Sequence, residues 1–186
     1  MLHEKNYLSL LDIQTPYNLA KKMLRAADIT PNKDVVYDIG CGDGEIPRIA
    51  VQTPFYAKKA VGIEIDPELC FDAIREVNRE LLRDRVEIIN KDVFECDLSE
   101  ADVVCLNFLT SRNEKLKPKL ERELKPSARV VCHDFPIMGW KHSIVKRIPF
   151  NDVFERGNNA FNYKGRIELG HFIYLYEIAD IHQKQI

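Results

Sequence analysis

The 186-residue chain carries 27 Lys and Arg against 29 Asp and Glu, a formal net charge of -2 at pH 7, with 45% hydrophobic and 30% charged residues. Those values fit one soluble globular domain with a real core, and they argue against any general electrostatic pull toward nucleic acid or an anionic membrane; only a local basic face could serve RNA. Cys41, Cys70, Cys96, Cys105 and Cys132 are odd in number and form no C-x-x-C pair, which argues against a disulfide framework and a zinc site, so no metal is expected and a reducing, cytoplasmic compartment is.

Residues 1–14 hold only the short apolar patch Leu8, Leu10 and Leu11, broken by Asp12, which is neither a signal peptide nor a membrane span. The spacing of Leu19, Met23, Ala26 and Ala27 predicts a helix over 16–27, with Thr15 as capping hydroxyl and Pro16 at the first helical position. A turn at 31–34 leads into an apolar strand ending at Ile39. There the chain reads Asp38, Gly40, Gly42, Asp43, Gly44, three glycines at alternate positions with two acids among them. A helix follows over 45–52, its Pro47 tolerated in the first turn, and then a strand over 60–65 containing Glu64.

Glycines at such a turn accept backbone angles closed to other residues and let bare backbone approach a ligand. An acid one βα unit later is how open α/β folds hold ribose hydroxyls. The pattern is G-x-G-x-G rather than the dinucleotide G-x-G-x-x-G, and two acids in the turn suit a cationic ligand better than a diphosphate. S-adenosylmethionine, with its sulfonium and α-ammonium, answers to that. The competing readings are a ligand-free structural turn, a nicotinamide-dependent reductase and a non-catalytic nucleotide-binding module.

Asp66, Pro67 and Glu68 open the next helix, whose expected inner stripe is Cys70, Ile74, Val77 and Leu81. A third strand over 86–90 runs into Asp92 and Val93, and a fourth over 101–106 runs into Asn107. Ser111 to Glu114 reads as a capping box before a helix with Leu116, Leu120 and Leu124 inward; its interleaved Lys and Glu read as a solvated face. A fifth strand spans 128–133. Beyond Ser143 the helical pattern does not return: extended segments at 143–150 and 168–178 flank a polar, aromatic loop over 151–166. Five βα units and a terminal hairpin predict a doubly wound α/β sheet, parallel except for one antiparallel strand near the C-terminus. The expected organisation is one domain over 1–186: an N-terminal helical segment (1–30), a core (34–135) and a hairpin (143–178).

The glycine turn, Glu64, the stretch NEKLKPKLERELKP at 113–126, and RVVCHDF at 129–135 with Gly139 and Trp140 soon after together resemble the seven-strand S-adenosylmethionine-dependent methyltransferases. More narrowly, they resemble the archaeal broad-specificity protein lysine methyltransferases and the mitochondrial enzymes that methylate a lysine of the ATP synthase c-subunit. The resemblance implies a Rossmann-like sheet and a cofactor held by Asp38, Gly40, Cys41 and Gly42 at its methionine end. It implies Glu64, beside Ile65, on the ribose hydroxyls, Asp92 and Val93 on the adenine, and Thr15 and Pro16 closing the pocket. Asn107, Phe108, Leu109 and Thr110 would line the way in for the methyl acceptor. The family often has an aromatic residue at position 107, which this chain carries one place later. The chain also lacks the prolines and tyrosine of the Asn/Asp-Pro-Pro-Tyr loop found in many methyltransferases acting on nucleobases and small planar groups.

A protein substrate bearing a target lysine is therefore expected, with RNA or a small molecule as the alternative acceptor and no membrane partner. His133 and Asp134 can be read as a general base or as ordering residues. The second fits better, because an already activated methyl donor needs alignment rather than a histidine. Trp140, Tyr163, Tyr174 and Tyr176 read as packing residues.

Overall fold

The computed structural model describes residues 15–149, 152 and 170–182. The N-terminal patch, Tyr163 and nearly all of the 151–166 loop lie outside the described residues. In chain order the elements are α1 (Tyr17–Ala26), β1 (Val35–Ile39), α2 (Glu45–Ala50), β2 (Lys59–Glu64), α3 (Pro67–Arg79), β3 (Val86–Asn90), a 3-10 turn (Val93–Glu95), β4 (Val103–Leu106), α4 (Thr110–Glu123), β5 (Arg129–His133), β6 (Ile144–Ile148), β7 (His171–Glu177) and α5 (Ile178–His182). The seven strands form one sheet in the order β3-β2-β1-β4-β5-β7-β6. β1 to β5 pair parallel, and β7 lies antiparallel to both β5 and β6. The expected doubly wound sheet with a single antiparallel strand is present, and the last strand slots inside the sheet rather than at its edge.

Alternation along the central strands builds two cores. Val36, Val103, Cys105 and Val131 face one layer with Leu19, Met23, Ile46, Ile49 and Val77 of α1, α2 and α3. Tyr37, Ile39, Val104, Leu106, Val130 and Cys132 face the other, with Leu116 and Leu120 of α4 and Ile178 and Ile181 of α5. Both faces are covered, so β4 is buried throughout, as expected of parallel strands rich in β-branched residues. The strand order reverses between β1 and β4, which makes the carboxyl ends of those two strands the switch point where open α/β sheets bind ligands.

Several local expectations need correction. Helices follow only β1, β2 and β4 of the five parallel strands; the β3–β4 crossover has just the 3-10 turn, and α5 is a helix where none was expected. Helix α1 begins at Tyr17 with Pro16 in the cap position and no side-chain cap, because the Thr15 hydroxyl is engaged by Asn107. Ser111 is likewise no cap: α4 starts at Thr110, and Glu114 reaches out to Met138 N instead of back. On α3 the inner stripe is Cys70, Ala73 and Val77, with Ile74 exposed. The helix ends before Leu81, which takes a positive φ of 58° and points outward while the chain turns Leu82 toward the core.

Lys119 is the exception to the solvated-face reading of α4, whose Lys115 and Arg122 are exposed. It is buried, and its ammonium donates to Cys96 O (2.6 Å) and to both oxygens of Glu123 (2.9 and 2.7 Å). Lys119→Met keeps the apolar stem but leaves Cys96 O unpaired. It is expected to cost about 1–3 kcal/mol, read as a lower urea midpoint at unchanged slope.

Candidate active site

The glycine turn after β1 is built almost entirely from backbone. Gly40, Gly42 and Gly44 have φ of 74°, 53° and 76°, the left-handed region that favours glycine. Gly40 N and Cys41 N both donate to Ile63 O (2.8 and 3.1 Å), and Gly44 N donates to Cys41 O (2.8 Å). Gly40 has a second reason to be glycine, since a Cβ there would stand 2.5 and 2.6 Å from Cε1 and Cζ of the Phe108 ring. The turn from β1 and the loop after β4 therefore close on each other at this point.

Glu64 ties the turn to the end of β2. One oxygen accepts from Gly42 N (3.0 Å) and the other from Asp66 N (3.0 Å), leaving each oxygen a second lone pair. Asp66 in turn caps α3 through Glu68 N and Leu69 N. At the end of β3, Asp92 spends one oxygen on Phe94 N (3.0 Å), which holds the 3-10 turn.

A cleft of about 970 Å³ opens over these strand ends. Asp38, Gly40, Cys41 and Gly42 line it from β1, Glu64 and Ile65 from β2, Asp92 and Val93 from β3, Asn107 and Phe108 from β4, and Thr15 from the segment before α1. Pro16, Leu109, Thr110 and His133 are not among its lining residues. Sequence reasoning passed over Lys91, Phe94, Arg112 and Lys115, which do line it. The last two follow from helical spacing, since they sit one turn apart on α4 beside the buried Leu116.

The floor of the cleft is acidic. Burial, then the charges of Glu64 and Asp43, push the Asp38 carboxyl from 3.8 up to about 8. Burial also raises Asp43, against the pull of Arg48. A cation placed beside such a carboxyl draws it back to its charged form, whereas a diphosphate would push it further toward the neutral one. The residues thus fit a nucleoside with a positively charged tail: glycine backbone and Asp38 for the tail, Glu64 for a diol, Asp92 for an amine.

On the opposite wall, Asn107 Nδ2 donates to Thr15 Oγ1 (3.1 Å), and Asn107 Oδ1 meets His133 Nδ1 at 2.9 Å. His133 is buried, and its Nδ1 meets the cleft-lining Asn107. Trp140 is a core residue, edge-on to Tyr176 and donating to Glu121 (2.7 Å). Tyr176 is fully buried with its hydroxyl accepting from Ile137 N (3.0 Å), so both serve packing as expected.

Residues 38–144 match the family described as the ANTKMT methyltransferase domain. The chain is 40% identical, over 90% of its length and 93% of the relative's, to a protein-lysine N-methyltransferase of Saccharolobus islandicus (strain REY15A). It is 31% identical to a human lysine N-methyltransferase named for the ATP synthase c-subunit, over 78% of this chain and 58% of that one. Among solved structures, an RNA methyltransferase from Salinibacter ruber in complex with S-adenosyl-L-homocysteine superposes with a TM-score of 0.73 at 35% identity, covering 89% of this chain and 94% of that one.

Proposed function

Because the chain belongs to the ANTKMT methyltransferase family and is an S-adenosylmethionine-dependent methyltransferase, we propose that it methylates the side-chain nitrogen of lysine residues in proteins. The observation that carries this acceptor is the 40% identity to a protein-lysine N-methyltransferase across 90% of the chain. The loop after β4 agrees with it, since Phe108, Leu109 and Thr110 replace the prolines and tyrosine of the base-methylating loop.

When bound, the sulfonium cofactor supplies an activated methyl group for in-line displacement. The chain's part is to bind, align and exclude water, and positioning can contribute about 7–11 kcal/mol. In this reading Asp38 holds the cationic end, while the backbone of Gly40, Cys41 and Gly42 packs beneath it. Glu64 accepts both ribose hydroxyls next to Ile65, and Asp92 uses its remaining oxygen on the adenine amine beside Val93. Thr15 borders the cofactor, with Asn107 fixed between Thr15 and His133 at the acceptor wall. A free lysine is only about 0.04% neutral at pH 7. Desolvation against Phe108 lowers its pKa, and solvent takes the proton, so no dedicated base is required. The whole described chain serves as one domain. Five buried, unbridged thiols support a reducing, cytoplasmic setting, and no helix among the described residues is long and apolar enough to cross a membrane.

One observation favours a second reading: the Salinibacter relative bears the name of an RNA methyltransferase. Incubation with labelled S-adenosylmethionine and host extract separates the two. Label is expected in protein, lost on protease but not nuclease treatment. Label that survives protease and is released by nuclease would overturn the lysine assignment.

A further inference from the structure

We propose that His133 Nε2, His171 Nδ1 and Asp134 Oδ2 form a three-ligand site for one divalent first-row transition cation, where β5 meets β7. The three atoms make a nearly equilateral triangle. His133 Nε2 lies 2.9 Å from His171 Nδ1 and 3.1 Å from Asp134 Oδ2, and His171 Nδ1 lies 2.8 Å from Asp134 Oδ2.

Protons alone cannot satisfy that triangle. If both imidazole nitrogens carry hydrogens toward the carboxylate, two N–H groups confront each other across the N–N edge. If only one does, the other nitrogen turns a lone pair toward the carboxylate oxygen. Every allotment leaves one edge with two protons or with none, whereas a single cation accepts all three lone pairs at once. The dimensions agree with this. Ligand bonds of about 2.1 Å place neighbouring donors about 3.0 Å apart at the right angles of an octahedral face, against about 3.4 Å in a tetrahedron.

The supporting shell is also in place. Asn107 donates to Thr15 through Nδ2 and so presents Oδ1 to His133 Nδ1, which must carry that ring's hydrogen and leaves Nε2 as the bare donor. Asp134 spends Oδ1 on Phe172 N (2.7 Å), and its own N–H donates to Phe172 O (2.8 Å). Its backbone is held at φ 54°, an uncommon angle for a non-glycine residue, and this conformation aims Oδ2 at the two imidazoles. The side chains of His133, His171 and Asp134 are 10%, 18% and 30% exposed, so water can complete the coordination. Two imidazoles and one carboxylate favour Zn²⁺, Co²⁺ or Ni²⁺ over Mg²⁺ or Ca²⁺. The expectation of no metal rested on cysteine spacing. These ligands share no motif, because His171 lies 37 residues beyond Asp134.

The test uses the untagged 186-residue protein, stripped with a chelator and titrated with Co²⁺ while the visible absorption bands are followed. One equivalent is expected to bind with micromolar affinity or better, and Zn²⁺ is expected to compete and to raise the melting temperature. His171→Ala should weaken Co²⁺ binding at least about 100-fold yet retain S-adenosylhomocysteine binding, which certifies its fold. Should that variant misfold, His171→Gln keeps a polar side chain without the imidazole and should show the same loss. His142→Ala, altering an exposed histidine, should bind Co²⁺ as wild type does. Absence of a one-equivalent Co²⁺ signal in the wild type, or its persistence in both the His171 variant and Asp134→Asn, would overturn the site.

Discussion

Asp38→Asn is expected to weaken S-adenosylmethionine binding by at least about 30-fold, since removing one member of a buried charge pair costs about 2 kcal/mol or more. The same change should make the ligand-free protein more stable than wild type at alkaline pH. The carboxyl sits at about 8 in the folded protein against 3.8 in the reference state, raised first by burial and then by Glu64 and Asp43. A raised carboxyl means that the folded state keeps a proton which the unfolded chain releases. Its stabilisation is complete below the unfolded value and drains away as pH climbs through the folded one, by at most about 1.4 kcal/mol per pH unit. Asparagine never ionises and lacks that slope. Melting curves of both proteins without cofactor, from pH 5 to pH 9, should therefore diverge as pH rises, with the variant on top. Calorimetry in buffers of different ionisation heat should show wild type releasing a proton on binding the cationic cofactor at pH 7. Parallel melting curves, or cofactor affinity within tenfold of wild type, would refute the role given to Asp38.

Gly40→Ala should be the most damaging single methyl in the turn. Its φ of 74° costs a side chain about 1 kcal/mol, and the new Cβ would lie 2.5 Å from the Phe108 ring. That ring is hemmed in, because Asn113 Nδ2 holds Phe108 O at 3.3 Å and Arg112 lies over its face. A total loss of about 2–3 kcal/mol is expected, with cofactor binding lost as the two loops are forced apart. Gly42→Ala separates the contributions. Nothing lies within 4 Å of a Cβ there, so its stability cost should stay near the backbone value of about 1 kcal/mol. Adding Phe108→Leu to Gly40→Ala should recover the steric share and leave the backbone share. Equal costs at the two glycines in chemical denaturation would show that the ring contact carries no weight.

Much of the cleft was legible because its components sit at strand ends. The strands ending at Ile39, Glu64, Asn90 and Leu106 each carry a polar or glycine residue at their last position or just after it, and the parallel topology gathers those residues at one edge. What escaped detection depends on contacts between distant segments. Lys119 looks solvated in one dimension, and only the fold brings Cys96 O to its ammonium. The stripe on α3 shifted to Ala73 because a small residue is needed over Gly44, whose added Cβ would meet Ala73 Cβ at 3.1 Å. The convergence of His133 and His171 needs β7 beside β5, a pairing that no local pattern encodes.

That pairing also orders the making of the protein. Among the described residues β7 is the one strand beside β6 and the outer neighbour of β5, so during synthesis the described sheet carries an open β5 edge until His171–Glu177 emerges. For that interval the nascent protein presents a template for pairing with another chain, and closing it takes a strand made 38 residues after the edge it covers.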